Sequence, residues 1–248
     1  MTLEAFFAQH PRAALGFSGG VDSAYLLYAA RQHGCQVGAY FIKTPFQPQF
    51  ELEDARRLAA DLGVRLQVLA FDVLTLDEVA ANGPRRCYYC KRALFGLLAR
   101  HARQDGYPVL LDGTNASDDA ADRPGMQALK ELEVLSPLRL CGLTKDEIRR
   151  RSREAGLFTW DKPAYACLAT RIPTGTPIAA GDLERVERGE NALFALGFSD
   201  FRIRLYHGAA RIQLTETDFA RLPQARARVE AALRPDFEEV LLDLKVRP

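Results

Sequence analysis

The 248-residue sequence has no apolar run approaching the ~20 residues that a membrane-crossing helix takes. Its first residues, MTLEAFFAQHPRAALGF, show no basic segment followed by an apolar core. No secretory signal is read there, and the cytoplasm is the expected location. Charge of one sign is also missing. The 33 Lys and Arg residues against 32 Asp and Glu leave a net charge of +1. That gives no broad field for a nucleic-acid groove or an anionic membrane, although a local basic patch stays possible. Cysteine is sparse and odd in number, at five. An odd count argues against a disulfide framework. Cys35 and Cys141 stand alone among apolar neighbours and read as small buried hydrophobes. Internal repeats and low-complexity tracts are absent. So are the GxxxxGK[ST] of a Walker loop and the GxGxxG of a dinucleotide fold.

What is present reads as a globular α/β chain. Strand-like segments at residues 13–17, 36–42, 64–70 and 108–111 are separated by helical spacing at 22–33, 50–62 and 90–103. This rhythm predicts a parallel sheet flanked by helices, with ligands at the carboxyl edge of the strands. Thr144-Lys-Asp-Glu147 has the capping-box pattern of a helix start, and Gly156 closes that helix. The stretch PTGTPIAAG, residues 173–181, is the expected linker between a first domain (1–172) and a small α+β domain (182–248). In that tail, helices at 183–196 and 218–233 bracket strands at 201–206 and 210–214, and a last strand is expected at 239–246.

Chemistry concentrates in a few stretches. Ser18-Gly19-Gly20-Val21-Asp22-Ser23 stands between a strand and a helix. Backbone N–H groups and the helix dipole make such a turn an anion site. The plainer reading is a tight turn in which Asp22 or Ser23 caps the helix. Asp112-Gly113-Thr114-Asn115 follows another strand and by itself reads as a turn. Arg86-Cys87-Tyr88-Tyr89-Cys90-Lys91 carries a CxxC just before the helix expected at residue 90. It has no thioredoxin-like surroundings and no second CxxC to complete a zinc site. With Cys167, in KPAYACLATR, it could hold three irons of a [4Fe–4S] cluster. Equally, Cys167 could be a buried residue unrelated to the pair.

SGGVDS resembles the SGGxDS signature of the PP-loop ATP pyrophosphatases, which include NAD and GMP synthetases and tRNA-thiolating enzymes. Taken with RCYYCK, DGTN, DRPG, KPAYACLATRIP and FRIRLYHGAARIQL, it resembles the LarE sulfur transferases over nearly the whole chain. The resemblance implies an adenine nucleotide alpha hydrolase-like fold. It implies an enzyme that uses ATP to adenylate the carboxylates of a pyridinium-biscarboxylate mononucleotide and converts them to thiocarboxylates for a nickel-pincer cofactor. Ser18, Gly19, Gly20, Ser23, Gly113 and Thr114 would bind ATP, and Asp22 would help hold Mg²⁺. Arg202 and Arg204 would bind the substrate phosphate. Arg123, Arg171 and Glu190 would contact substrate, and Tyr88 or Tyr89 would stack on the pyridinium ring.

In one branch of that family a cysteine at the position of Cys167 gives up its own sulfur. In another, three cysteines hold a [4Fe–4S] cluster that carries the sulfide. Cys87 and Cys90 beside Cys167 point to the cluster branch, supplied by sulfide or another sulfur donor. Self-association into a homo-oligomer is expected on the same ground. A tRNA thiolase is the first rival, but no broad basic surface or RNA-binding appendage is evident. An NAD-synthetase-like amide-forming enzyme is the second, because TKDEIRR and KPAYACL resemble that group too. Three cysteines have no task there. A non-catalytic scaffold would not need an intact SGGVDS.

Overall fold

Strand β1 (Arg12–Gly16) is short and apolar, and its Ala13, Ala14 and Leu15 are fully buried. In the structure, a computed structural model that describes residues 1–118 and 124–247, β1 is a central strand. It pairs in parallel with β2 (Gln36–Lys43) on one side. A two-residue strand, here named β4 (Leu110–Leu111), pairs with it on the other. β3 (Leu66–Ala70) adds to the far side of β2, giving the order β3-β2-β1-β4, all parallel. The chain moves outward from β1 to β3 and then returns across β1 to form β4. The order therefore reverses between β1 and β4, and at that point the loops after both strands flank one crevice.

Helix α2 (Val21–Gln32) follows β1 and is almost wholly buried, from Val21 through Leu26 and Leu27 to Ala30. Small residues at Ala24, Ala29 and Ala30 let it lie close to the sheet. Each fully buried Leu or Phe adds about 1.5–3 kcal/mol. Helix α1 (Leu3–Gln9) was not expected, although Leu3, Phe6 and Phe7 have the i, i+3, i+4 spacing of its buried face; its 7 residues are too few for the period to repeat. Thr2 nonetheless caps it by accepting from Ala5 N at 3.1 Å, and both rings are 1% exposed. α3 (Gln49–Asp61), the single-turn α4 (Asp77–Ala80) and α5 (Arg86–Gln104) follow. α5 starts at Arg86, not at residue 90, because Gly83-Pro84 breaks the chain just ahead of it. The CxxC is therefore inside its opening turns. α6 (Pro124–Glu131) and α7 (Pro137–Leu140) were also not foreseen, and α8 (Lys145–Glu154) begins at the expected Thr144 cap.

The chain divides into two compact units. The first is Met1–Val73 with Arg85–Ala164, and the second is Leu74–Pro84 with Tyr165–Pro248. The second holds α9 (Ala180–Ala195), the hairpin β5 (Phe201–Tyr206) and β6 (Ala209–Leu214), α10 (Glu216–Leu233) and β7 (Val240–Leu242). β5 and β6 are antiparallel and turn at His207-Gly208, both with positive φ; β7 joins β6 in parallel.

The second unit thus begins ahead of the expected boundary at residue 172. The expected linker is tied to α4 instead of hanging free. Gly175 N donates to Asn82 O at 2.9 Å and Ile178 N to Ala80 O at 2.8 Å. Asn82 Nδ2 donates to the carbonyls of Pro173 and Thr176, each at 2.9 Å. Proline and glycine there shape a strapped segment whose partner lies some ninety residues earlier, which local composition cannot show. Among the described residues no helix is long and apolar enough to cross a membrane.

Candidate active site

At the crevice between β1 and β4, the loop after β1 turns at Gly19, whose φ of +72° is one that glycine adopts without strain. α3 stands directly behind it. A Cβ on Gly19 would lie 3.1 Å from Ala55 N and from Glu51 O. Gly20 is the N-cap of α2 and no side-chain hydrogen bond caps that helix, an arrangement that can receive an anion. Ser18 Oγ and Ser23 Oγ are 3.1 Å apart, and Ser23 Oγ donates to Gly20 O at 3.2 Å. The two hydroxyls close the turn into a ring.

The DGTN segment lies against this ring. A Cβ on Gly113 would approach Ser23 N to 3.0 Å and Ser23 Cα to 3.2 Å. Thr114 and Asn115 are buried and build the turn from within. Thr114 donates its hydroxyl to Asp112, which also accepts from Ser136 Oγ at 2.5 Å. Asn115 Oδ1 accepts from Ser117 N at 2.8 Å. Gly113 is therefore the part of this segment that meets the loop, and Thr114 supports it.

Asp22 is the charged centre. Its Oδ2 accepts from Lys145 Nζ at 2.6 Å, while its Oδ1 is buried with no hydrogen-bond partner. Burial raises its pKa above the ordinary carboxylate value. The Lys145 hydrogen bond and charge oppose that rise, Asp118 adds to it, and Arg149 lowers it. A buried carboxylate oxygen without a donor is a place for a cation. Lys145 was read only as part of a helix cap, since nothing in its local pattern points 123 residues back to Asp22.

Cys87 and Cys90 stand one helical turn apart near the start of α5. Cys87 is exposed and Cys90 half-buried, and no acidic residue occupies that turn. Arg86 Nη2 approaches Cys87 Sγ at 3.7 Å. Tyr88, between them, is 7% exposed. Its hydroxyl donates to Glu131 at 2.7 Å and Arg85 covers its ring at 4.6 Å. Here it packs α5 against α6. Tyr89 meets it edge-on at 5.2 Å between centroids.

Cys167 belongs to the second unit, at the N-cap of a 3₁₀ turn, Leu168–Arg171. That turn is wound around the Arg171 guanidinium. Arg171 donates to Ala166 O at 3.1 Å and to Thr170 Oγ1 at 2.9 Å, and Thr170 N donates to Cys167 O at 3.0 Å. Arg171 also forms a two-pronged pair with Glu190, at 2.7 and 3.2 Å, with side chains 0% and 1% exposed. Glu190 further accepts from Ile203 N at 2.9 Å and from the Tyr165 hydroxyl. Burial alone would lower the Arg171 pKa, but Glu190, Tyr165 and Cys167 outweigh it and the net shift is upward. Both residues expected to touch substrate are thus enclosed, and what they do here is fix the Cys167 turn.

Arg202 and Arg204 alternate on β5 as expected. Arg204 Nε donates to Gln213 at 2.5 Å and its Nη1 to Thr170 O at 2.6 Å. The Tyr165 ring lies under Arg171 at 4.6 Å and under Arg202 at 5.2 Å. Tyr165 was not singled out in sequence, because one aromatic in KPAYACL carries no spacing signal. Arg123 lies outside the described residues. Among those described, no three side chains of His, Cys, Asp and Glu gather as a metal site.

The family model described as Thiamine biosynthesis protein (ThiI) matches residues 9–194. An uncharacterized protein of Synechocystis sp. is 37% identical over 86% of this chain and 80% of its own length. A pyridinium-3,5-bisthiocarboxylic acid mononucleotide synthase of Lactiplantibacillus plantarum is 31% identical over 98% of this chain and 89% of its own. A tRNA-specific 2-thiouridylase of Dichelobacter nodosus is 32% identical but spans only 60% of this chain and 49% of its own. The glycine turn, the carboxylate beside it and a match of this length converge: the chain belongs to the LarE family of ATP-dependent sulfur transferases, within the PP-loop ATP pyrophosphatases.

Proposed function

We propose that this enzyme adenylates the carboxylates of pyridinium-3,5-biscarboxylic acid mononucleotide and converts them to thiocarboxylates. The observation that carries the reading is the loop at residues 18–23 with Gly113 against Ser23 and the unpartnered Asp22 Oδ1 beside it. The similarity to a synthase of the bisthiocarboxylic product supports the choice of substrate. Ser18, Gly19, Gly20 and Ser23 cradle the ATP phosphates. Asp22 fits a Mg²⁺ ion through its free oxygen, and Lys145 fixes the other. A substrate carboxylate oxygen attacks the α-phosphorus, the bond to pyrophosphate breaks, and an acyl-adenylate forms. The loop's backbone N–H groups act on the charge that builds at phosphorus, and a Mg²⁺ held by Asp22 would add positive charge there. A sulfide equivalent then attacks the carbonyl carbon and AMP leaves. Arg202 and Arg204 hold the substrate phosphate, and Arg171 with Glu190 positions the turn that bears Cys167.

The three cysteines fit a [4Fe–4S] cluster in their chemistry. Two of them stand a turn apart at a helix start whose first turn carries no acidic residue. Cys87, Cys90 and Cys167 would hold such a cluster through thiolates, and when bound it supplies an open iron for sulfide. In a second reading Cys167 gives up its own sulfur, a route that needs neither Cys87 nor Cys90.

Anaerobic purification followed by iron and sulfide analysis, and by the intact mass of the chain after turnover, separates these routes. Iron that falls on Cys87→Ala or Cys90→Ala supports the cluster. An iron-free chain that loses the mass of hydrogen sulfide at Cys167 supports the sacrificial route. Pyrophosphate release from ATP that no pyridinium biscarboxylate stimulates would refute the substrate.

A further inference from the structure

Guanidinium groups gather around β5 in the second unit. Asp200 is shared: its Oδ1 lies 3.1 Å from Arg247 Nη2 and 3.5 Å from Arg202 Nη1. Arg204 donates to Gln213 and to the Thr170 carbonyl, both neutral. Burial pushes the Arg202 pKa down to about 10, and repulsion from Arg171 and Arg247 adds to this against the pull of Glu190 and Asp200. Arg204 shifts downward too, by burial and then by Arg171, Arg211 and Arg247. Cations close enough to disfavour one another's charge attract an anion.

Arg247 adds its own signal. Its Nε is buried and donates to nothing. A buried N–H without a partner is rare and calls for an acceptor. The backbone of Arg247 is fixed, since its N–H donates to Leu214 O at 2.8 Å and pairs the residue with Thr215 at the end of β6. The side chain is one-fifth exposed, so a small ligand can reach it. Nothing around residue 247 in the sequence signals this, since Lys-Val-Arg carries no motif.

We infer that Arg247 is a third anion-binding guanidinium beside Arg202 and Arg204, and that it takes part in holding the phosphate monoester of the substrate. The inference rests on the reading that Arg202 and Arg204 bind that phosphate. A structural reading of the same contacts makes Arg247 a mere counter-ion of Asp200, and the two differ in how the residues couple. Asp200 also neighbours Arg202, so Asp200→Asn should tighten phosphate binding on either reading. If Arg247 binds phosphate, Arg247→Gln still weakens binding once Asp200 is Asn; if Arg247 only balances Asp200, it then has no effect.

The test is calorimetric titration of the full chain with ribose 5-phosphate at low salt, for wild type, Arg202→Gln, Arg247→Gln, Arg247→Lys, Asp200→Asn, and Asp200→Asn combined with each Arg247 change. Arg247→Gln should weaken binding about tenfold or more, as expected for a lost charged hydrogen bond. Arg247→Lys should keep part of the affinity, and Arg247→Gln should weaken binding in the Asp200→Asn background as well. Thermal unfolding of each variant shows that the chain is folded, and Arg247→Lys, alone and with Asp200→Asn, decides the matter if Arg247→Gln does not fold. Wild-type affinity in Arg247→Gln, or a double variant that binds as Asp200→Asn does, overturns the inference while Arg202→Gln still weakens binding. If neither the wild type nor any variant binds ribose 5-phosphate, the phosphate reading of Arg202 and Arg204 falls, and the inference with it.

Discussion

Glu190→Gln should be among the most damaging conservative changes in this chain, although Glu190 is a single residue on a helix. Its two oxygens accept from four donors: Arg171 Nε, Arg171 Nη2, Ile203 N and the Tyr165 hydroxyl. The amide keeps one acceptor oxygen, but its NH₂ then faces groups that already donate. More important, Arg171 stays behind as a cation with a fully buried side chain and no counter-charge. Removing one partner of a buried pair costs about 3–5 kcal/mol. For a chain of this size that is a fall in the unfolding midpoint of roughly 6–20 °C, at about 2–4 °C per kcal/mol. Urea and thermal unfolding of Glu190→Gln, Arg171→Met and the double variant measure it. The double variant removes the charge that each single change strands, so it should recover about 1–3 kcal/mol relative to the sum of the singles. The Cys167 turn should loosen in all three, because Ala166 O and Thr170 Oγ1 depend on Arg171. Additive single and double effects, or a Glu190→Gln within about 1 kcal/mol of wild type, would refute a coupled clamp.

Lys145→Gln acts on the other unit. Burial already raises the Asp22 pKa and Lys145 holds it down, so losing Lys145 raises it further. Asp22 must be ionised to hold a cation, so the acidic limb of kcat/KM for pyrophosphate release should move to higher pH; an unmoved limb would separate Lys145 from the site. Gly113→Ala places a methyl 3.0 Å from Ser23 N, and ATP affinity should fall about tenfold in a binding titration while the fold survives. Unchanged affinity would mean the segment does not brace the loop. Burial pushes the Cys35 thiol up to about 11, so it stays protonated at pH 8. Mass spectrometry after brief iodoacetamide treatment should find Cys87 alkylated and Cys35 untouched, and early labelling of Cys35 would contradict its burial.

The first unit was legible because its signals are local. Apolar runs of four or five residues ended in Gly-rich turns, and the Thr144 cap announced α8. The order β3-β2-β1-β4 then gives SGGVDS and DGTN, ninety residues apart, a common crevice. Arg202 and Arg204 were legible for the same kind of reason, since a period of two is enough to put them on one face of β5. α1 was hidden by its brevity, since Leu3, Phe6 and Phe7 give one i, i+3, i+4 set and no repeat of it. The strap at residues 173–178 was hidden because proline and glycine say that the backbone bends, not what it bonds to. Arg171 and Glu190 were legible as residues, but one sequence does not say that each is the other's buried partner.

Asp22 shows where such reading stops and physics continues. A carboxylate in a loop built for an anion is unfavourable twice, by burial and by the phosphates it is to meet. Sequence offers a cation as the remedy and leaves its source open. The structure contains one cation already, Lys145 at 2.6 Å from Oδ2, and leaves Oδ1 without a donor. One fixed protein charge on one oxygen opposes the rise that burial imposes. On the proposed reading, the other oxygen would take a divalent ion that arrives with the phosphates. Were both oxygens paired within the protein, the ion would have to break a buried hydrogen bond to enter. With one unpaired, part of the burial cost is offset beforehand and the rest would be offset only when a metal-bound nucleotide binds. Such a division would make the carboxylate selective for a charged ligand instead of merely tolerant of one.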